Sequence, residues 1–200
     1  MQPYFFPYLG YFRLIEETDV FVVLDCVQFP RRGFVHRNKP YASGGWLTVP
    51  ISKCGIDTKI KDVMLAEDYS GLMRERLAKF PILNNKLKNE DIWCKMIIER
   101  SSPDLCSLLL ETLSYTCQNL GLDFEYVRSS EMDLDNELRG EDRIIKIVNL
   151  MGAETYVNSP GGADLYSEER FQNEGVSLRL LEPWSGSFDS VITTMLIGEY

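Results

Sequence analysis

The sequence holds one histidine, five cysteines without a CxxC pair, no long apolar run and no excess of basic residues. Each shortage excludes something. No apolar stretch approaches the ~18 residues that a bilayer crossing needs, so no membrane span is expected. The N-terminus carries neither a basic segment nor a small-residue cleavage site, and does not read as a secretory signal. An odd cysteine count without paired spacing fits a reducing compartment, and a cytoplasmic location is expected. A lone histidine and scattered cysteines leave no zinc-ligand spacing, so no metal site is expected. A formal net charge of −9 argues against a nucleic-acid partner held by bulk electrostatics. No internal repeat or low-complexity linker divides the 200 residues. One domain over residues 1–200 is expected, with a less regular insertion at about 40–100.

What is present is ordinary for a folded α/β chain: 44% hydrophobic and 26% charged residues. The organising stretch is residues 1–38. Aromatics and prolines lead into an amphipathic run, Gly10 to Thr18, and then into Val20 to Leu24, which reads as a buried strand. Asp25, Cys26 and Gln28 stand at its carboxyl end, followed by Arg31, Arg32, Gly33, His36, Arg37 and Asn38. Further strands are expected at Trp46–Pro50, Ile60–Leu65, Phe124–Val127, Thr155–Val157 and Val176–Leu181. Helices are expected over Asp68–Glu99 with a break at Pro81, from a serine cap at Ser101-Ser102 to Leu120, over Gly140–Leu150, over Ala163–Gln172 and over Ser187–Leu196. The second half alternates strands with helices, which implies parallel pairing. The expected fold class is α/β, with a mostly parallel three-layer sheet and a helical insertion.

Open α/β sheets bind ligands beyond the carboxyl ends of their strands. Three stretches then share one edge: Asp25 to Asn38, Arg128 to Ser130, and Asn158 to Gly162. Ser159-Pro160-Gly161-Gly162 before a helix reads either as an anion-binding turn or as a plain turn. Arg143, early in a helix, opposes the macrodipole and reads as an anion ligand or as half of a surface ion pair. Asp25 beside Cys26 invites a nucleophile reading, but the neighbouring carboxylate disfavours a thiolate, so a structural cysteine is preferred. His36 reads as a general base near Asp25 or as a solvated loop residue.

Gln2-Pro3-Tyr4-Phe5-Phe6-Pro7-Tyr8-Leu9-Gly10-Tyr11-Phe12, Asp25-Cys26-Val27-Gln28-Phe29 and His36-Arg37-Asn38 together resemble the opening of the WbqC-like proteins. Gly140-Glu141-Asp142-Arg143-Ile144 and Tyr156 to Gly162 fit the same family, as does Leu165-Tyr166 to Gly175-Val176. Two departures stand out. Cys26 occupies a position where a second aspartate is common, and His36 one where asparagine is frequent. Members usually carry a few hydrophobic residues before Gln-Pro, expected as a first strand, whereas this sequence starts at Met1-Gln2. A fainter likeness joins Pro7-Tyr8-Leu9-Gly10-Tyr11 to the HxGH signature of adenylylating nucleotidyltransferases, a HUP-like fold. Tyrosines replace both histidines, and a phenol brings no positive charge. Tyr8 and Tyr11 read in preference as core aromatics.

The family is bacterial and is found with genes for O-antigen, polysaccharide and amino-sugar synthesis. The resemblance therefore implies an acyl- or aminoacyl (glycine) transferase acting on a nucleotide-linked amino sugar. The alternative is a non-catalytic nucleotide-sugar or metabolite-binding partner of a glycan-assembly enzyme. In the transferase reading Asp25 or His36 takes the amine proton. Gly10, its helix and Arg37 hold a phosphate or carboxylate, and Asn38, Ser159 and amides near Gly161 orient the carbonyl or sugar. Gln2, Tyr8, Tyr11, Gln28, Arg143 and Gly162 complete the expected ligand set. No motif names a cofactor. The expected partner is a nucleotide sugar, with room for a homo-oligomer.

Overall fold

The computed structural model describes residues 1–41, 44–100 and 102–197. The aromatic N-terminus turns inward. Phe5 and Phe6 are fully buried and lead into α1, Leu9–Glu16, whose apolar face carries Tyr11, Phe12, Leu14 and Ile15. The β-branched run behind it forms β1, Phe21–Val23. A short antiparallel pair follows, β2 (Arg37–Asn38) with β3 (Leu47–Thr48). Three helices then cover the core: α2 (Tyr69–Ala78), α3 (Pro81–Lys88) and α4 (Ile92–Ile98). Pro81 breaks the run as its missing N–H requires, and Glu90 breaks it again with a φ of 53°.

The central helix is α5, Leu105–Leu120. Its cap is Asp104, whose carboxylate accepts the Ser107 amide at 2.8 Å. The expected serine cap is thereby displaced; Ser101 lies outside the described residues. Gly121, at φ +70°, ends the helix. Leu105, Leu108, Leu109 and Leu113 are fully buried, so α5 is the axis on which the larger core is built.

The second half runs β4 (Tyr126–Arg128), α6 (Gly140–Met151), β5 (Thr155–Asn158), α7 (Glu168–Asn173), β6 (Ser177–Leu180) and α8 (Val191–Ile197). A second, smaller core gathers Ile144, Ile145, Ile147 and Val148 of α6 with Phe171 and Val176.

The expected α/β class holds, but one continuous sheet does not form among the described residues. β1 pairs β4 in parallel, and β5 pairs β6 in parallel, as two separate ribbons. Between them lies a slot of about 570 Å³, walled by Val22, Leu24, Ile144, Val148, Tyr156 and Val157. On this edge of β1, among the described residues, only Met1 pairs: its ammonium donates to the Val22 carbonyl at 2.8 Å, and the Leu24 amide donates to its carbonyl at 2.8 Å. Two further expectations fail locally. Ile60–Leu65 is not a strand but a 3₁₀ turn, Ile60–Asp62, followed by single bridges at Met64 and Leu65. Ile60 and Val63 are both buried, a spacing of three that strand alternation cannot provide. The helix expected over Ala163–Gln172 is a 3₁₀ segment, Pro160–Leu165, then α7. Tyr166 separates them, its ring edge-on to Tyr156 and Phe171.

One strained residue is held from several sides. Phe6 takes φ 46°, which costs a bulky L-residue about 1–3 kcal/mol. Its carbonyl accepts the Asn38 amide at 2.6 Å and the Ser190 hydroxyl at 2.7 Å. The Asn38 amide also reaches the Phe5 carbonyl at 3.2 Å. Asn38→Ala leaves these buried carbonyls short of a donor. It should cost about 2 kcal/mol and lower the melting temperature by roughly 4–8 °C. Scanning calorimetry beside Gln28→Ala, an exposed control, would check this; equal melting temperatures would refute it.

Candidate functional site

The site grows from the parallel pairing of β1 with β4. Val23 lies opposite Arg128, so the residues that follow, Asp25-Cys26 and Ser129-Ser130, meet beyond the strand ends. Asp25 has no solvent exposure. Its Oδ2 accepts Arg128 Nε at 2.8 Å and the Ser130 hydroxyl at 2.7 Å. Its Oδ1 accepts the Ser129 hydroxyl at 3.0 Å and the Ser130 amide at 2.9 Å. The Ser129 hydroxyl in turn accepts the Asp25 and Cys26 amides at 3.0 and 3.2 Å. The Cys106 thiol lies 3.7 Å from Oδ2, its own pKa pushed up to about 12 by burial. Burial alone would raise the pKa of Asp25. The hydrogen bonds from Ser130 and Arg128, with the Arg128 charge, outweigh it and hold the carboxyl below its ordinary 3.8.

In front of this network opens a polar cleft of about 540 Å³. Cys26, Ser129 and Ser130 form its strand-end wall. Lys59 and Lys61 enter from the 3₁₀ turn region, and Arg143 from the first turn of α6. Asp57, Asp62, Asp135 and Asn136 complete the polar lining. Lys59 Nζ is held by Asn136 Oδ1 at 2.5 Å, and Lys61 Nζ lies 3.0 Å from Asp62. Arg143 donates to the Leu138 carbonyl, rather than to a surface acid. Three cations, a hydroxyl, an amide and a thiol thus face one space. Among the described residues no group of three or more His, Cys, Asp or Glu side chains stands together as a metal site would.

Residues 2–188 match the model of the WbqC-like protein family. The chain belongs to that family. It is 25% identical over 185 residues to an uncharacterized protein, Rv1507c, of Mycobacterium tuberculosis, covering 90% of this chain and 78% of that one. No solved structure matches. No helix among the described residues is long and apolar enough to cross a membrane.

In this WbqC-like chain, the sequence-derived candidates divide. Arg143 and the Ser129–Ser130 strand end reach the cleft, with Cys26 beside them. Asp25 stands behind the cleft wall, its oxygens engaged by five donors, and is a clasp rather than a free base. His36 does not join it. The imidazole is buried, edge-on to Phe29 at 4.9 Å, and its Nδ1 has no partner among the described residues. Burial, with the charges of Arg37 and Arg76, pushes its pKa down to about 4, so it is neutral near pH 7. Asn38 is buried under the Phe5–Phe6 turn. Arg37 donates to the carbonyls of Gly33 at 3.2 Å and Arg32 at 2.6 Å, and Gln28 to that of Ile56 at 2.8 Å.

The family's opening motif serves packing. Tyr11 is a core residue, its hydroxyl donating to the Gln2 carbonyl at 2.9 Å. Tyr8 lies against Trp184 and Phe188. A Cβ on Gly10 would stand 2.4 Å from the Tyr8 ring and 2.7 Å from Trp184, so the α1 N-terminus is covered by aromatics, not open to an anion. Gly161 and Gly162 belong to the 3₁₀ segment and Ser159 precedes it as its cap: the Gly162 amide donates to the Ser159 carbonyl at 3.0 Å, and Asn158 fills the space beside Gly162. Lys59, Lys61 and Asn136 also line the cleft, beyond the residues the sequence points to. The Lys-Ile-Lys alternation at 59–61 carried a signal for two lysines flanking a buried residue; Asn136 carried none.

Asp25→Asn breaks a buried ion pair and strands Arg128. It should destabilise the fold by about 3–5 kcal/mol in urea unfolding. A variant of unchanged stability that lost only turnover would restore the base assignment. Stability should also fall with acid in two windows. The unfolded chain protonates His36 near 6.5 and the folded chain only near 4, so between these values protons favour unfolding. His36→Gln should flatten that slope. Asp25 adds a second loss as the pH falls below about 3.8.

Proposed function

We propose that this protein binds a nucleotide-linked amino sugar in the strand-end cleft and transfers an acyl or aminoacyl group to its amine. The product would be a precursor of O-antigen or another surface polysaccharide. The observation that carries the reading is the convergence of Lys59, Lys61 and Arg143 on one polar space. A diphosphate is the small-molecule group that best answers three cations at short range. Ser130 and Asn136 supply a hydroxyl and an amide for a sugar ring. Asp57, Asp62 and Asp135 give the cleft acceptors for an amine.

For transfer, the neutral amine nitrogen bonds to the carbonyl carbon of an activated donor. The proton leaves the nitrogen for a carboxylate, and the leaving group departs with the electrons of the broken bond. Asp62 is paired with Lys61, and Asp135 accepts the Glu137 amide at 2.8 Å. That leaves Asp57, exposed on the cleft wall, as the base in this reading. A second reading keeps the ligand and removes the chemistry. It is favoured by the positions of Asp25 and His36, neither of which offers a basic atom to the cleft.

Titration calorimetry with nucleotide-linked amino sugars separates these readings. Binding should weaken about tenfold or more in Lys61→Ala and in Arg143→Ala, since each removes a charge-assisted contact. With a donor present, Asp57→Asn should lose turnover while keeping affinity within about twofold. Binding without turnover in the unaltered protein would select the binding role. No binding of any nucleotide sugar by the folded protein would refute both.

A further inference from the structure

A second recess lies away from the strand ends, between the β2–β3 pair and the C-terminal end of α2. It measures about 610 Å³, and Tyr41, Trp46, Thr48, Arg76, Lys79 and Phe80 line it. None of these residues lines the strand-end cleft. Its aromatic content is unusual for an exposed surface. Trp46 is 41% exposed and Phe34 45% exposed, in a row where Tyr4 stacks on Phe34 at 5.0 Å and Phe34 tilts against Trp46 at 5.6 Å. Such rings are left in water at a cost of about 25 cal/mol per Å².

The charge is equally one-sided. The Arg37 guanidinium lies 4.4 Å from the Trp46 ring centre, and the Lys39 ammonium 5.5 Å. Arg76 is fixed in place by a 2.5 Å bond to the Thr48 carbonyl. Lys79 is exposed, and its ammonium has no hydrogen bond or ion pair among the described residues. No acidic residue is among those lining the recess. In a chain of net charge −9, two cations over the indole and two more lining the recess are a local reversal. Buried His36 feels it: the charges of Arg37 and Arg76 help to keep its imidazole neutral.

We propose that this recess is a second ligand site that takes a mononucleotide, with its base stacked on Trp46 and its phosphate paired with Arg76 and Lys79. A planar π system and a phosphate are the two groups that answer an exposed indole and a fixed guanidinium beside a free ammonium. Neither suffices alone. A bare phosphate makes no use of the indole, and an uncharged base leaves the cations in water.

The test is AMP binding, followed by tryptophan fluorescence and calorimetry. AMP should bind and quench the emission. Trp46→Leu and Lys79→Glu should each weaken it at least tenfold, as loss of one stacking or charged contact implies. Both positions are exposed, and circular dichroism would confirm that the variants fold. Adenosine and inorganic phosphate should each bind at least tenfold more weakly than AMP. Lys61→Ala, in the cleft, should leave AMP affinity unchanged, so this proposal and the strand-end reading fail separately. Adenosine or phosphate binding as well as AMP would overturn the proposal. So would unaltered AMP affinity in the two recess variants, or loss of AMP binding in Lys61→Ala alone.

Discussion

A carboxylate without access to water must have its charge answered by the protein. Asp25 meets that condition with an arginine, two serine hydroxyls and a backbone amide, from one short segment that begins at the last residue of β4. The electrostatic requirement becomes a mechanical one. Because every nitrogen and hydroxyl donor lies on residues 128–130, with only the Cys106 thiol of α5 added at 3.7 Å, the end of β1 is tied to the end of β4. The cleft wall is the outer side of this clasp, with Cys26 and Ser130 on it. A buried ion pair is poor evidence of stability for its own sake, since desolvation consumes most of its gain. Its effect here is geometric: it fixes which groups look inward and which look toward a ligand.

The stretch most specific to the WbqC-like family has a comparable role on the other side of α1. Its aromatics connect parts of the chain that are far apart in sequence. Tyr4 meets Phe34, Phe6 tilts against Trp93, and Tyr8 meets Trp184 and Phe188. Gly10 is required because two of these rings fill the place of a side chain. A motif that a sequence presents as a binding signature is here a joint between the first helix and the residues before α8.

Much of the architecture was legible where a single period ran long enough. The helices α1, α5 and α6 follow their apolar spacing, and Gly121 and Gly152 end two of them with positive φ. The location of the strand ends was legible too, because apolar runs stop at Asp25 and Arg128. Roles were less so. A sequence gives the position of a carboxylate but not its exposure, and the difference between a base and a clasp is whether a lone pair is free. His36 and Asn38 illustrate the same limit: both are polar residues in a basic loop, and both are drawn inside by Phe29 and by the Phe5–Phe6 turn. Lys59, Lys61 and Asn136 reach the cleft only through tertiary folding, since Gln28 bridges Lys59 from an earlier part of the chain. The failure of the strand at 60–65 has the same origin, for the Asp25 and Val27 carbonyls take the amides of Lys61 and Ile60.

The two cores are unequal, and this governs how the molecule opens. Native proteins open in cooperative units, and the unit with the smaller apolar core opens first. The lesser core rests on six buried residues and holds α6, α7 and β6, while the greater is centred on α5. Arg143 belongs to the lesser unit, and Cys26 and Ser130 to the clasp anchored against α5. A ligand spanning the cleft would therefore link a late-opening part of the chain to an early-opening one. Its occupancy would be written in the amide exchange of α6, far more than in that of α5.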